Sequence, residues 1–183
     1  MTPVWLYLVA SLLRGVQSTE YCVCTTVPCP QAGNNHLVMG NGYATLDYTY
    51  SIHGDFPVVT AAKAVLEPQS LDNGTETTTC TRKYAKMLED DGQEDCDAGH
   101  ILAHRLGGYG NQPLNIFPQN ISINRGSYAT FEGQIYECMQ QANQGFLSWV
   151  FTYGNSTSTQ PNGVTYGAEF DKGCGPMTET FLN

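Results

Sequence analysis

Apolar and polar residues alternate from Ala44 to Ile52. Ala44, Leu46, Tyr48, Tyr50 and Ile52 are apolar, with Thr45, Asp47, Thr49 and Ser51 between them. A period of two predicts a strand with one face in a core. His53-Gly54-Asp55 is a turn, and residues 57–66 (PVVTAAKAVL) read as a second strand, so the two form a hairpin. A polar loop over 67–79, a short helix over 81–89 and an acidic, turn-like stretch over 90–97 (DDGQEDCD) follow. Residues 97–104 (DAGHILAH) read as a short strand carrying His100 and His104 on one face, and a Gly-rich turn follows over 107–111. From Asn124 the period changes: at 100° per residue, Tyr128, Phe131, Ile135, Cys138, Met139 and Ala142 gather on one face. A helix is therefore expected to open at Asn124 and run to Ala142. Asn124 would sit at its N-terminal end, able to cap it or to bind a ligand, with Glu132 at the margin of the apolar face. Two late strands are expected over 146–153 and 164–170.

The N-terminus has a different pattern. Residues 3–13 (PVWLYLVASLL) form an apolar run, and Val16-Gln17-Ser18 places small residues at both cleavage-defining positions. Residues 1–18 thus read as a signal peptide, although the basic residue usual before the apolar run is absent and Arg14 follows it. The rival reading is a buried N-terminal strand or helix. No apolar run after residue 20 reaches the roughly 18–20 residues of a membrane span. Export makes disulfides the expected state of the seven cysteines, Cys22, Cys24, Cys29, Cys80, Cys96, Cys138 and Cys174: up to three bridges and one remaining thiol. Cys22 and Cys24 are too close in sequence to bridge each other easily. A zinc knuckle of Cys22, Cys24, Cys29 and His36 is the alternative, but its C-x-C spacing departs from the usual C-x₂₋₄-C. Sequons at Asn73, Asn120 and Asn155 suit a secreted glycoprotein. A 183-residue chain that is 41% hydrophobic can build a core, which excludes wholesale disorder. The expected organisation is one domain over 19–183, with a Cys-rich arm over 19–36.

The chemistry concentrates in the centre. Asp97-Ala98-Gly99-His100 is followed by Asn115-Ile116-Phe117-Pro118-Gln119, and then by Asn124-Arg125-Gly126-Ser127-Tyr128 with Glu132. Three ordered motifs within 36 residues make a specific signal. This constellation resembles the DNA/RNA non-specific endonucleases, the ββα-metal nucleases. The resemblance implies an α+β fold with an antiparallel sheet and a catalytic strand-loop-helix unit. It implies that His100 is the general base, Asn124 the metal ligand, Asn115 a supporting residue of the site and Glu132 a carboxylate of the metal's outer shell. Tyr128 matches an aromatic position that packs the helix. The implied cofactor is Mg²⁺, with Mn²⁺ as a substitute, and the implied substrate is DNA and also RNA. Ala98 and Tyr136 stand where many members carry Arg, and Arg105 and Arg125 are the nearest candidates to bind phosphate in their place.

The residue types suit that chemistry on their own account. Phosphodiester hydrolysis needs a base for water, stabilisation of developing charge and help for the leaving oxygen. A neutral imidazole serves as the base near pH 7. Eight helical residues span about 12 Å, so Asn124 and Glu132 can hardly hold one ion directly, and Glu132 is expected to act through a water. His104 is a second, weaker candidate on the same strand, and Asp97 either holds the turn or polarises His100.

Charge argues the other way. The formal net charge of −9 becomes −10 once Arg14 leaves with the signal peptide, and such a body repels a polyanion. Arg82, Lys83, Lys86, Arg105 and Arg125 nevertheless all fall between residues 82 and 125, offset by six acids. A near-neutral groove on an acidic body is expected to bind nucleic acid weakly, at low salt and with a divalent cation. The sequence therefore reads as a secreted, metal-dependent, non-specific endonuclease. A catalytically weakened, nuclease-like secreted binding domain is the alternative, favoured by Ala98 and Tyr136.

Overall fold

The computed structural model describes residues 33–90 and 95–183. The signal peptide, the arm up to residue 32 and the candidate zinc knuckle's cysteines lie outside the described residues. Six strands form one antiparallel sheet: β1 (Gly33–Met39), β2 (Ala44–His53), β3 (Phe56–Leu66), β6 (Gly145–Thr152), β7 (Gly163–Phe170) and β8 (Met177–Leu182), in the order β1-β2-β3-β6-β7-β8. A separate antiparallel pair, β4 (Asp97–His100) and β5 (Ile116–Gln119), carries the central motifs. The helices are α1 (Thr79–Met87), a single turn α2 (Ile121–Ile123) and α3 (Ala129–Met139). The α+β class and the antiparallel sheet are as the sequence implies.

Alternation builds the core. Along β6 the burial strictly alternates: Leu147, Trp149 and Phe151 point inward, while Phe146, Ser148 and Val150 face outward. Ala44, Leu46, Tyr48 and Tyr50 do the same along β2, as expected, but Ile52 is half exposed because the strand outruns the core there. Helix α3 lays Phe131, Ile135 and Met139 onto the inner face of the sheet. The fit is close, since a Cβ at Gly145 would come within 2.4 Å of Met139 Sδ. Tyr128, the expected packing aromatic, is fully buried among Phe117, Tyr166 and Phe181, and its hydroxyl accepts from Trp149 Nε1 at 3.2 Å. Cys138 bridges Cys174, tying α3 to the loop between β7 and β8. Cys80 is also disulfide-bonded, and Cys96 is a thiol whose Sγ accepts from Gln160 Nε2 at 3.1 Å.

Several boundaries differ from expectation. Residues 33–36 belong to β1 rather than to the arm, pairing with residues 47–50 of β2. β4 stops at His100, and His104 opens a short 3₁₀ turn (His104–Leu106), so the two histidines do not share a strand. The helix begins one turn early. Asn120 caps it, its Oδ1 accepting from the Ser122 and Ile123 amides. Asn124 is therefore not the cap. It opens a five-residue π turn (Asn124–Tyr128) that bends at Gly126, with φ −112° and ψ −106°. π turns recur at functional sites because they re-aim side chains that a regular helix would stack in register. β5 and β8 were not anticipated: Pro118 interrupts one, and polar residues fill the other. Among the described residues, no helix is long and apolar enough to cross a membrane.

Candidate active site

Asn115 organises the turn that carries the histidine. It is fully buried, and its side chain closes a ring of backbone contacts: Oδ1 accepts from the Leu102 amide at 2.8 Å, and Nδ2 donates to the Leu102 carbonyl at 2.9 Å. Longer contacts reach the Tyr48 hydroxyl and the Tyr109 carbonyl, both at 3.4 Å. An amide spent in this way fixes the loop just after β4 and is not available to a reacting atom, so Asn115 is a positioning residue. The Gly-rich turn is needed for the same packing. Gly107 has φ +104°, and a Cβ on Gly108 would lie 1.7 Å from the Leu102 carbonyl oxygen.

His100 stands at the end of β4, opposite Ile116. Its Nε2 lies 3.1 Å from the Thr75 carbonyl oxygen. A carbonyl can only accept, so in the neutral ring Nε2 carries the proton and Nδ1 holds the basic lone pair. Burial, the largest influence, lowers the pKa of His100. The Thr75 carbonyl and Glu76 oppose this, and neighbouring His104 adds to it. The imidazole is thus neutral at pH 7, as a general base requires. The ring of His104 lies 5.9 Å from that of His100, and its Nε2 is 3.3 Å from Glu76 Oε1.

Asp97 anchors the metal candidate and leaves the base alone. Its Oδ2 accepts from Asn124 Nδ2 at 3.0 Å, and its two oxygens take a bidentate pair from Arg125, both at 2.7 Å. The Arg125 hydrogen bonds chiefly, and that of Asn124, hold the Asp97 carboxyl below its ordinary range against the effect of burial. Gripping the amide by its nitrogen turns the Asn124 oxygen away as the atom offered to a cation. Arg125, expected to bind phosphate, has its fork committed to Asp97.

Glu132 lies on α3, two turns beyond Asn124. Its Oε1 is buried and, among the described residues, has no hydrogen-bond partner; burial pushes its pKa up to about 8. A buried carboxylate oxygen without a partner is costly, and it fits a site completed by a cation and its waters. Among the described residues, no three His, Cys, Asp or Glu side chains gather into a metal cage. The donors on offer are instead the amide oxygen of Asn124 and the carboxylate of Glu132, hard ligands of the kind Mg²⁺ takes sparingly while keeping its own waters. Tyr136, one turn further on, receives the Arg105 guanidinium 4.2 Å over its ring and donates its hydroxyl to Asp72 Oδ2 at 2.6 Å.

The structure thus joins Asp97, Asn124 and Arg125 in one cluster, Thr75, Glu76, His100 and His104 in a second, and Arg105, Tyr136 and Asp72 in a third. The orienting role of Thr75 left no trace in the sequence, because it acts through a backbone carbonyl. That of Asp97 was visible only as an acid beside the Gly-His pair.

Comparison with known proteins bears on the family and the fold. The probable deoxyribonuclease RhsA of Dickeya dadantii is 38% identical over 114 residues, covering 62% of this chain and 8% of that protein. The chain thus spans less than a tenth of the length of that relative. The crystal structure of NucA from Streptococcus agalactiae with magnesium ion bound has a TM-score of 0.50 at 14% identity, covering 87% of this chain and 75% of the other, a likeness of fold. The model of the DNA/RNA non-specific endonuclease family matches residues 41–164, more than half of the chain and all three motifs, and the chain belongs to that family.

Proposed function

We propose that this protein is a secreted, Mg²⁺-dependent endonuclease that hydrolyses phosphodiester bonds of DNA, and of RNA as a second substrate, without sequence preference. The observation that carries the reading is the His100 imidazole, kept neutral by burial and held by the Thr75 carbonyl, in the same family unit as an Asn124 amide oriented by Asp97. Membership of the family and the magnesium-bound NucA neighbour support the choice of substrate class and ion.

His100 takes a proton from the attacking water at Nδ1 while Nε2 stays bonded to Thr75, so the ring does not turn as it changes charge. Asn124 and Glu132 would hold the ion, Asn124 through its amide oxygen and Glu132 through water. When bound, Mg²⁺ supplies charge stabilisation for the phosphoryl oxygens. Asp97 keeps the Asn124 oxygen in place, and Asn115 fixes the loop that follows His100. Arg105 is the exposed cation assigned to substrate phosphate, whereas Arg125 serves the site by neutralising Asp97. The apolar run over residues 3–13 and the small residues at Val16 and Ser18 support the reading of residues 1–18 as a signal peptide and of the enzyme as secreted. Of the three sequons, Asn155 is the most suited to a glycan. It is exposed and its bonds are local through Oδ1, whereas Asn73 Nδ2 is bonded to the Gln69 and Leu71 carbonyls and Asn120 lies between two site motifs, where a glycan would obstruct a polyanion.

Plasmid nicking by the protein, with Mg²⁺ and with excess chelator, tests the proposal. Cleavage that chelation abolishes and that Asn124→Ala removes is expected. Cleavage indifferent to chelator would refute the metal-dependent reading, and a protein that binds DNA without cutting it would favour the weakened binding domain.

A further inference from the structure

Arg105, Tyr136 and Asp72 close a ring that joins three separate segments. The Asp72 amide donates to the Arg105 carbonyl at 2.9 Å, the Asp72 carboxylate accepts from the Tyr136 hydroxyl at 2.6 Å, and the Tyr136 ring lies 4.2 Å beneath the Arg105 guanidinium. Asp72 holds its place at φ +59°, a left-handed conformation that an Asp adopts at some cost. The arrangement is economical in charge. The Asp72 carboxylate is committed to a phenol, and Arg105 forms no ion pair with a carboxylate among the described residues. A guanidinium has five N–H donors, more than one phenol can take, so the contact with Tyr136 leaves donors for an anion. The ring also has a neighbour of the site on each side: Arg105 adjoins His104, whose ring is 5.9 Å from that of His100, and Tyr136 lies one helical turn past Glu132.

We propose that Tyr136 and Asp72 are positioning residues that hold Arg105 as a clamp for a substrate phosphate next to the one being cleaved. The inference rests on the nuclease reading. Pinning the long side chain before substrate arrives reduces the entropy lost on binding, which matters in a chain with so few cations near the site.

The test is the affinity and salt dependence of a fluorescent DNA duplex bound, with Mg²⁺, to the full chain carrying His100→Ala, so that no cleavage intervenes. Adding Arg105→Ala should weaken binding about 10-fold and make the slope of log Kd against log salt shallower by about 1. Tyr136→Leu should weaken binding several-fold, and it should add nothing once Arg105 is gone. Asp72→Asn, which still accepts the phenol's hydrogen bond, should stay near the parent, while Asp72→Ala should follow Tyr136→Leu. An unchanged salt slope in Arg105→Ala would overturn the proposal, as would additive losses in the Tyr136→Leu, Arg105→Ala pair. Failure of the His100-intact protein to cleave would instead count against the nuclease reading, and the binding measurements would still decide the role of Arg105.

Discussion

At the scale of single residues, the site depends on which groups are left uncommitted. His100 is neutral because burial disfavours its charged form, so the acid limb of kcat/KM should lie below the ordinary histidine value of 6.5. His100→Ala should lower turnover by at least ~10²-fold. His104→Ala should cost clearly less, since its ring reaches Glu76 and only perturbs its neighbour. If His104→Ala proves the more damaging, the base has been misassigned. The pair Asp97 and Arg125 gives a second check. Asp97→Ala releases both Asn124 and Arg125 and should raise the Mg²⁺ concentration needed for half-maximal rate, by about 10 to 100-fold as for other groups that orient a metal ligand. Arg125→Ala leaves the Asn124 bond in place and should cost much less. A larger rise in KM for nucleic acid in Arg125→Ala than in Arg105→Ala would restore Arg125 to the phosphate.

At the scale of elements, strand, turn and helix each hold one part of the chemistry under strain or desolvation. Asn115 stitches the turn after β4. Asn115→Ala orphans the Leu102 amide and carbonyl, at about 1–3 kcal/mol for each buried group left unsatisfied. A clear fall in the denaturant midpoint together with lost turnover is expected, and a variant that melts normally but is inactive would make Asn115 a reacting residue after all. Glu132 acts on α3 in the opposite sense. Its pKa is raised to about 8 in the folded protein against an ordinary 4.5, so the folded state holds the proton more tightly. Its contribution to stability is full below pH 4.5 and declines as pH rises through 8. In chelator, Glu132→Gln should lose less stability than the parent between pH 5 and 9 and should exceed it at the upper end. Parallel melting curves across that range would show that the carboxylate is better solvated than its buried oxygen indicates.

For the whole molecule, the sheet is a scaffold closed at one corner by a covalent tie. Cys138 and Cys174 are 36 residues apart, and cross-linking a loop of that length stabilises a fold by about 4 kcal/mol in the chain-entropy view. Replacing both by Ser should lower the melting temperature by many degrees while leaving kcat near normal at low temperature, because the bond joins the far end of α3 to the β7–β8 loop rather than to the site. A loss of kcat without a loss of stability would place the bridge in the catalytic machinery instead. The net charge of −9 sets the other global property: with Arg125 and Lys86 neutralised by carboxylates, attraction for nucleic acid falls to a few exposed cations.

Period-two alternation placed β2, because a strand with one buried face must alternate, short runs bounded by turn residues placed β3, β6 and β7, and the three central motifs nominated His100, Asn124 and Glu132. Local pattern determined these because each is written in residues close together in the chain. Long-range packing decided the rest. β8 has only Phe181 deeply buried and β5 contains a proline, so neither shows a period, and each forms because a neighbouring strand supplies its partner. The expected apolar face from Tyr128 to Ala142 is buried, but the helix does not open at Asn124 for a local reason with a tertiary cause: the π turn at 124–128 breaks the 100° step, and Asp97, 27 residues away, holds Asn124 in its new direction. Which arginine pairs with a carboxylate and which does not, and which carbonyl holds His100, depend on contacts between segments that no spacing encodes. The sequence determined the chemical inventory, and only the folded packing decided which of those groups remained free to act.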